Sequence, residues 1–281
     1  VWIVNTWGDV TLENMKNKIE DFRVRTFNYE KLTINYWLKK IYSFKFDLTP
    51  VFDTKITIGG CVKNGAKYSS YILKNITLLK SLFKNEPIVL VSYDDSDDDT
   101  YDKYTYANNV EVLTGDKLLH DETIKNNTEA IRVSNISNAR NRILSNMVGE
   151  YLIMVDLDGA FSKQLNLDTI RNVFTEPHLW DIVSFNNKNY YDLWALTIGP
   201  FKYSCWHTSD PYKIINEMKK YLAWVTHVSK TDYIACDSAF DVLSIYKIDK
   251  IKNLRYTPCY DKSYLNLLDV QNFCKLYEVR V

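Results

Sequence analysis

The chain has 281 residues, 46% of them hydrophobic and 25% charged, with 35 basic residues set against 35 acidic ones and a pI near 7.0. That balance excludes the electrostatic footprint of a general nucleic-acid binder, and the length is enough to bury a full core in one large domain or two small ones. No apolar run reaches the ~18–20 residues of a membrane span, and no signal peptide opens the sequence. Because the first residue is Val, the expectation is a fragment whose anchor or neighbouring domain has been removed. Cys61, Cys205, Cys236, Cys259 and Cys274 are odd in number and widely spaced, which reads as a reduced compartment rather than a disulfide framework or zinc site. The expected location is therefore the cytoplasm, that of a virus-infected host cell included, or a lumen if an anchor was removed. The sequons at Asn75 and Asn126 read as chance matches in an Asn-rich chain. The excess of Asn, Lys, Ile and Tyr suggests an AT-rich genome, such as that of a giant virus or a protist.

Residues 1–50 read as a helical N-terminal extension, followed by one domain over 51–281. Helix-like periodicity runs over Leu12–Lys18 and Tyr29–Phe44, and the aromatics Tyr36, Trp37, Tyr42, Phe44 and Phe46 are expected to dock on a neighbour. From residue 55 strands and helices alternate. Lys55–Gly60 is predicted as a strand ended by Gly59-Gly60. Tyr68–Phe83 is predicted as a helix with Ile72, Ile76, Leu79 and Phe83 on one face. Pro87–Tyr93 and Asn109–Leu113 are further strands, the first continuously apolar as parallel strands buried on both faces are. Ser137–Met147 is a helix with Ile136, Ala139, Ile143 and Met147 at helical spacing, and strand 151–155 follows it. This βαβ rhythm predicts an α/β fold with a mostly parallel central sheet flanked by helices, in which ligands bind at the carboxyl ends of the strands.

Three of those strand ends carry chemistry. Tyr151-Leu-Ile-Met-Val-Asp156-Leu157-Asp158 delivers two carboxylates one residue apart. In an extended chain alternate side chains share a face, so both can enter one site. Two hard oxygen donors suit Mn²⁺ or Mg²⁺ together with a phosphate, and an acidic turn after an ordinary strand is the plainer reading of the same residues. Cys61-Val-Lys63-Asn64-Gly follows the first strand, and Tyr93-Asp-Asp95-Ser-Asp-Asp-Asp-Thr100 follows the second. A carboxylate at the end of an early strand is how α/β folds hold a ribose or base edge.

The run Ile-Gly-Gly-Cys-Val-Lys-Asn-Gly-Ala, the helix after it and the Asp-Asp-Ser-Asp-Asp-Asp-Thr loop resemble the opening of a GT-A-fold (nucleotide-diphospho-sugar transferase) glycosyltransferase. The segments Asn138-Ala-Arg-Asn-Arg-Ile-Leu144, Val155-Asp-Leu-Asp158 and Tyr190-Tyr-Asp-Leu-Trp-Ala-Leu196 are similar to one branch of it. That branch includes the fungal capsule-associated α-1,3-mannosyltransferases and related viral and bacterial enzymes. The resemblance covers about residues 55–250, in the right order.

It implies a hexosyltransferase using a UDP- or GDP-linked sugar donor, a Mn²⁺ or Mg²⁺ ion and a glycan or glycoprotein acceptor. Asp156 and Asp158 match the Asp-x-Asp motif that holds the metal on the diphosphate. Asp95 falls where the family contacts the nucleoside, Arg140 where it faces the sugar nucleotide, and Lys63 and Asn64 near base and ribose. Asp192 and Trp194 match a segment on the donor-sugar or acceptor side. An inverting enzyme needs a carboxylate base at the acceptor hydroxyl, for which Asp237 and Asp241 are the candidates and Asp232 a weaker one; a retaining enzyme needs none. The mannosyltransferase likeness leans towards GDP-mannose and retention. His207 is a candidate third metal ligand, and a structural histidine beside Trp206 is the plainer reading of it. Aromatics such as Trp180, Trp206 and Trp224 are expected in the core, with one or two left to stack on an acceptor sugar.

One departure is notable. The family's Ser-Ala-Phe-Gly-Gly reads here Ser238-Ala-Phe-Asp241-Val242, and the Cys-Glu-His element of some relatives is missing. Three rivals remain beside the transferase. Val155-Asp-Leu-Asp-Gly159 resembles the haloacid-dehalogenase phosphatase motif, in which the first Asp attacks phosphorus, although Ala160 stands where that motif has Thr. A sugar-nucleotide-forming nucleotidyltransferase would need a richer glycine loop than Gly59-Gly60 and Gly65 provide. The third rival is a non-catalytic protein on a transferase fold.

Overall fold

The computed structural model describes residues 2–5, 51–115, 128–163, 165–186, 193–201, 211–228 and 233–256. Its strands are β1 (Trp2–Asn5), β2 (Ile56–Val62), β3 (Ile88–Tyr93), β4 (Glu111–Leu113), β5 (Tyr151–Asp156), β6 (Ile182–Asn186), β7 (Tyr233–Ala235) and β8 (Leu243–Lys247). The helices are α1 (Ser69–Lys80), α2 (Thr100–Thr105), α3 (Thr128–Asn146), α4 (Leu167–Thr175), α5 (Pro211–Val228) and α6 (Ile248–Ile251). All eight strands join one sheet in the order β4-β3-β2-β5-β8-β6-β1-β7. Four of the seven pairings are parallel, including the contiguous block β4-β3-β2-β5. The fold is thus the expected α/β architecture. Trp2–Asn5, at the head of the segment read as a helical extension, runs as a strand between β6 and β7. Leu12–Lys18, Tyr29–Phe44 and the boundary at residue 50 lie outside the described residues.

The strands alternate between two cores, and this explains why their sequences look continuously apolar. On one face Ile56, Ile58, Val89, Val91, Ile153 and Val155 meet Ile72, Ile76 and Leu79 of α1 and Ile170, Val173 and Phe174 of α4. On the other, Leu90, Leu152 and Met154 meet Ile143 and Leu144 of α3 and Ile251 of α6. The predicted α1 face is fully buried, with Phe83 joining it from just past the helix end. α4 is started by Asn166, whose side chain accepts a hydrogen bond from the Thr169 amide. Among the described residues, no helix is long and apolar enough to cross a membrane.

Gly59 and Gly60 do not end β2; they lie within it, and the strand continues to Val62. Each leaves room on a different face. A Cβ on Gly59 would sit 2.5 Å from Ile143 Cγ2, so its absence lets α3 lie close on the sheet. A Cβ on Gly60 would sit 2.5 Å from Leu157 Cγ and 2.8 Å from the Val155 carbonyl oxygen. Leu157, 2% exposed, therefore turns into the core across β2 between the two acidic residues that flank it. A Gly60→Ala chain should lose about 1–3 kcal/mol of unfolding free energy in denaturant titration, the usual cost of overpacking, because one of the two obstacles is backbone.

Candidate functional site

The register of the parallel block builds the site. Cys61 of β2 is level with Ser92 of β3 on one side and with Asp156 of β5 on the other. This row crosses the carboxyl ends of three strands on the face covered by α3. Arg142 reaches one end: its Nε donates to Ser92 Oγ at 2.9 Å and its Nη2 to the Tyr93 carbonyl at 3.0 Å. Arg140 reaches the other, with Nη2 3.7 Å from Asp156 Oδ1. Its guanidinium lies over the rings of Phe240 and Tyr256, at 4.6 Å and 5.3 Å from their centroids, an arrangement that suits a planar, weakly hydrated cation. Asn141, between the two arginines, clasps the Tyr256 backbone in both directions at 2.8 Å. The Arg140-Asn-Arg142 stretch is therefore an inward-facing set of clamps. Burial, partly opposed by the charge of Arg140, pushes the Cys61 thiol up to about 12, so it stays protonated at neutral pH. Burial likewise raises the hydroxyls of Tyr246 and Tyr256.

The first and second strand-end loops are stitched together. Asn64 adopts φ 51°, its amide N–H donates to Ser96 Oγ at 2.9 Å, and its side-chain oxygen accepts from the Asp97 amide at 2.8 Å. The Gly65 amide donates to Thr100 Oγ1 at 2.8 Å, and the Ala66 amide to Asp98 Oδ2 at 3.2 Å. Thr100 in turn donates to Asp98 from its hydroxyl and its amide, and the hydroxyl bond holds the exposed Asp98 carboxyl below its usual range. Lys63 pairs with Asp94 at 3.6 Å, partly exposed on both sides. The Asn64 side chain is thus committed to the loop, while the Asp95 carboxylate stands exposed at its surface.

The exit of β5 is held from two directions. The Asp156 amide donates to the Val242 carbonyl at 2.9 Å. Further on, the buried Asn75 of α1 donates to the carbonyls of Phe161 and Lys163, the latter at 2.7 Å, and anchors the loop that follows Asp158. This also removes Asn75 from the surface, so its sequon is inaccessible in the folded chain. Asp158 is exposed, one oxygen accepting from the Ala160 amide at 2.8 Å. Among the described residues, no group of three or more His, Cys, Asp or Glu converges. Asp156 and Asp158 each carry hard carboxylate oxygens, the donor chemistry that Mn²⁺ or Mg²⁺ accepts alongside phosphate oxygens and water.

Of the other predicted residues, Asp237 is exposed and Asp241 is 1% exposed. Asp192, His207 and Asp232 lie outside the described residues, as does the Trp194 side chain, whose backbone forms part of a 3₁₀ turn over Leu193–Ala195. Trp180 is core, its indole N–H donating to the Val173 carbonyl, whereas Trp224 on α5 is 57% exposed. The sequence reading did not find Asn75, Asn141, Phe240 or Tyr256 as site residues. Asn141 carried a signal, an amide between two arginines on a helix; Tyr256 carried none.

Neither a protein-family model nor a curated protein matches the chain. Among solved structures, it is similar to glucosyl-3-phosphoglycerate synthase from M. tuberculosis (13% identity, TM-score 0.42, covering 81% of this chain and 72% of that one). It is also similar to residues 1–349 of TarS from S. aureus (16%, 0.40, covering 79% and 55%). A third is the mannosyltransferase PcManGT from Pyrobaculum calidifontis, solved with GDP-Man and Mn²⁺ (17%, 0.29, covering 45% and 34%). The chain spans about half of that TarS fragment and a third of PcManGT. Likeness at this level identifies neither activity nor substrate.

Two outcomes follow from the geometry. Val242 is a β-branched residue at φ 70°, where Gly is at ease. Val242→Gly should therefore change the unfolding free energy by less than about 1 kcal/mol in denaturant titration, the relief of local strain offsetting the lost packing of Val242 on the core and the added freedom of the unfolded chain. The lowered Asp98 pKa contributes stability that is present above the ordinary carboxylate value of about 3.9 and lost as pH falls through the lower folded value. Asp98→Asn should therefore flatten the fall in melting temperature below about pH 4.

Proposed function

We propose that the chain is a metal-dependent glycosyltransferase on the GT-A fold, moving a hexose from a UDP- or GDP-linked donor to a glycan or glycoprotein acceptor. The observation that carries this reading is the Ser92–Cys61–Asp156 row, which puts three motif-bearing strand ends on one edge of a parallel block. That is where open α/β sheets bind nucleotides, and the ordered motifs over residues 55–250 support the same assignment.

In this reading Asp156 and Asp158 hold Mn²⁺ or Mg²⁺, which when bound offsets the charge that grows on the departing diphosphate. Arg140 adds a fixed positive charge beside it, held in place by Phe240 and Tyr256 before any ligand arrives. Asp95 presents its exposed carboxylate to the nucleoside. Lys63 lies on the same loop pair, and Asn64 shapes that pair from within. Asp192 and Trp194 are assigned to the donor-sugar or acceptor side. If the sugar is inverted, the acceptor hydroxyl proton passes to a carboxylate, and exposed Asp237 suits that task better than buried Asp241 because a base must reach its proton. Retention, towards which the mannosyltransferase likeness leans, requires neither.

Melting curves with UDP, GDP, CDP and intact nucleotide sugars, each with Mn²⁺ or EDTA, test the reading. A ligand at about 100 times its dissociation constant adds about 2.7 kcal/mol, a readable shift. One nucleotide should raise the melting temperature only when metal is present, and Asp158→Ala should abolish that shift without unfolding the protein. A shift retained in the variant would reject the metal assignment, and no shift with any nucleotide would reject the transferase.

A further inference from the structure

Arg140 is positioned where a metal ligand needs room. Its Nη2 stands 3.7 Å from Asp156 Oδ1, and its side chain is only 20% exposed. It cannot readily retreat. Phe240 and Tyr256 cover the guanidinium, Tyr256 is itself 6% exposed and gripped through its backbone by Asn141, and Ala139 and Ile143 seat α3 firmly against the sheet. A divalent cation arriving at Asp156 therefore meets a fixed positive charge 3.7 Å from one carboxylate oxygen, on the side of that carboxylate turned away from water.

We propose that Arg140 competes with the divalent cation for Asp156, so that metal binds weakly alone and tightly only when a diphosphate arrives beside the guanidinium. The proposal rests on the transferase reading and specifies how its metal site is regulated. With Arg140 immobile, charge balance comes from the incoming anion. A diphosphate supplies oxygens to the metal and to the planar fork of Arg140 at once, a pairing for which guanidinium geometry is suited. Metal and diphosphate thereby load as a unit.

The test is direct titration of Mn²⁺ by electron paramagnetic resonance, without nucleotide, on the native chain, Arg140→Met and Arg140→Lys. Met keeps the apolar stem between the two rings and loses the charge, whereas Lys keeps the charge and loses the fork. Circular dichroism confirms folding, and Arg140→Gln replaces Met if that variant does not fold. Arg140→Met should bind Mn²⁺ at least about tenfold more tightly than the native chain, while Arg140→Lys should not. Unchanged or weaker binding in Arg140→Met would overturn the proposal, as would an equal gain in both variants. Repeating the titrations with GDP and UDP separates this proposal from its foundation. Nucleotide-dependent Mn²⁺ binding with no gain in Arg140→Met rejects the competition and leaves the transferase reading standing. Failure of every form to bind Mn²⁺, with or without nucleotide, rejects both.

Discussion

The arrangement at the carboxyl edge depends on β2 carrying no side chain at two successive positions. Strand geometry sends successive residues to opposite faces, so Gly59 and Gly60 open one space on each side of the sheet. Ile143 fills the first and Leu157 the second. The first contact draws α3 down until Arg140 and Arg142 reach the row formed by Ser92, Cys61 and Asp156. The second draws the chain after β5 inward between its two acidic residues, which leaves Asp158 outside and Asp156 partly open. Two missing methyl groups thus set the position of a helix and of a strand exit.

Around that edge the polar groups are largely self-organised. The loops after β2 and β3 hold each other through Asn64, Gly65, Ala66, Asp97, Asp98 and Thr100. The many acidic residues of the second loop are therefore not one undifferentiated charge run. Asp98 works as an acceptor for neighbouring backbone, Asp94 faces Lys63, and Asp95 faces water. Such division of labour leaves a loop with a defined shape and few groups open to a ligand, the condition under which binding costs little reorganisation.

Much of this was legible in the sequence, and the reasons for success and failure are specific. The strands of the parallel block are apolar on both faces, so their pattern announced them, and the α1 face Ile72, Ile76, Leu79, Phe83 was visible as a helical repeat. Gly59-Gly60 was read as a stop because glycine usually weakens strands; only the three-dimensional neighbours Ile143 and Leu157 reveal why the strand keeps it. Arg140 was singled out through the motif it belongs to, but what confines it was not visible. Phe240 and Tyr256 lie about a hundred residues further on, and nothing in their local sequence marks them as a cation's walls. Buried Asp241 and exposed Asp237 look alike in sequence, and their difference appears only with burial.

The hydrogen bond from the Asp156 amide to the Val242 carbonyl couples two segments far apart in sequence. It ties the tip of β5 to the segment whose side chains depart from the Gly-Gly of the family the sequence resembles. A substitution at 241 or 242 that shifts the carbonyl receiving this bond also shifts the tip of β5, where Asp156 stands level with Cys61 of the neighbouring strand β2. The segment after Phe240 and the metal-motif strand are thus joined by one backbone contact, so the two cannot be re-engineered independently.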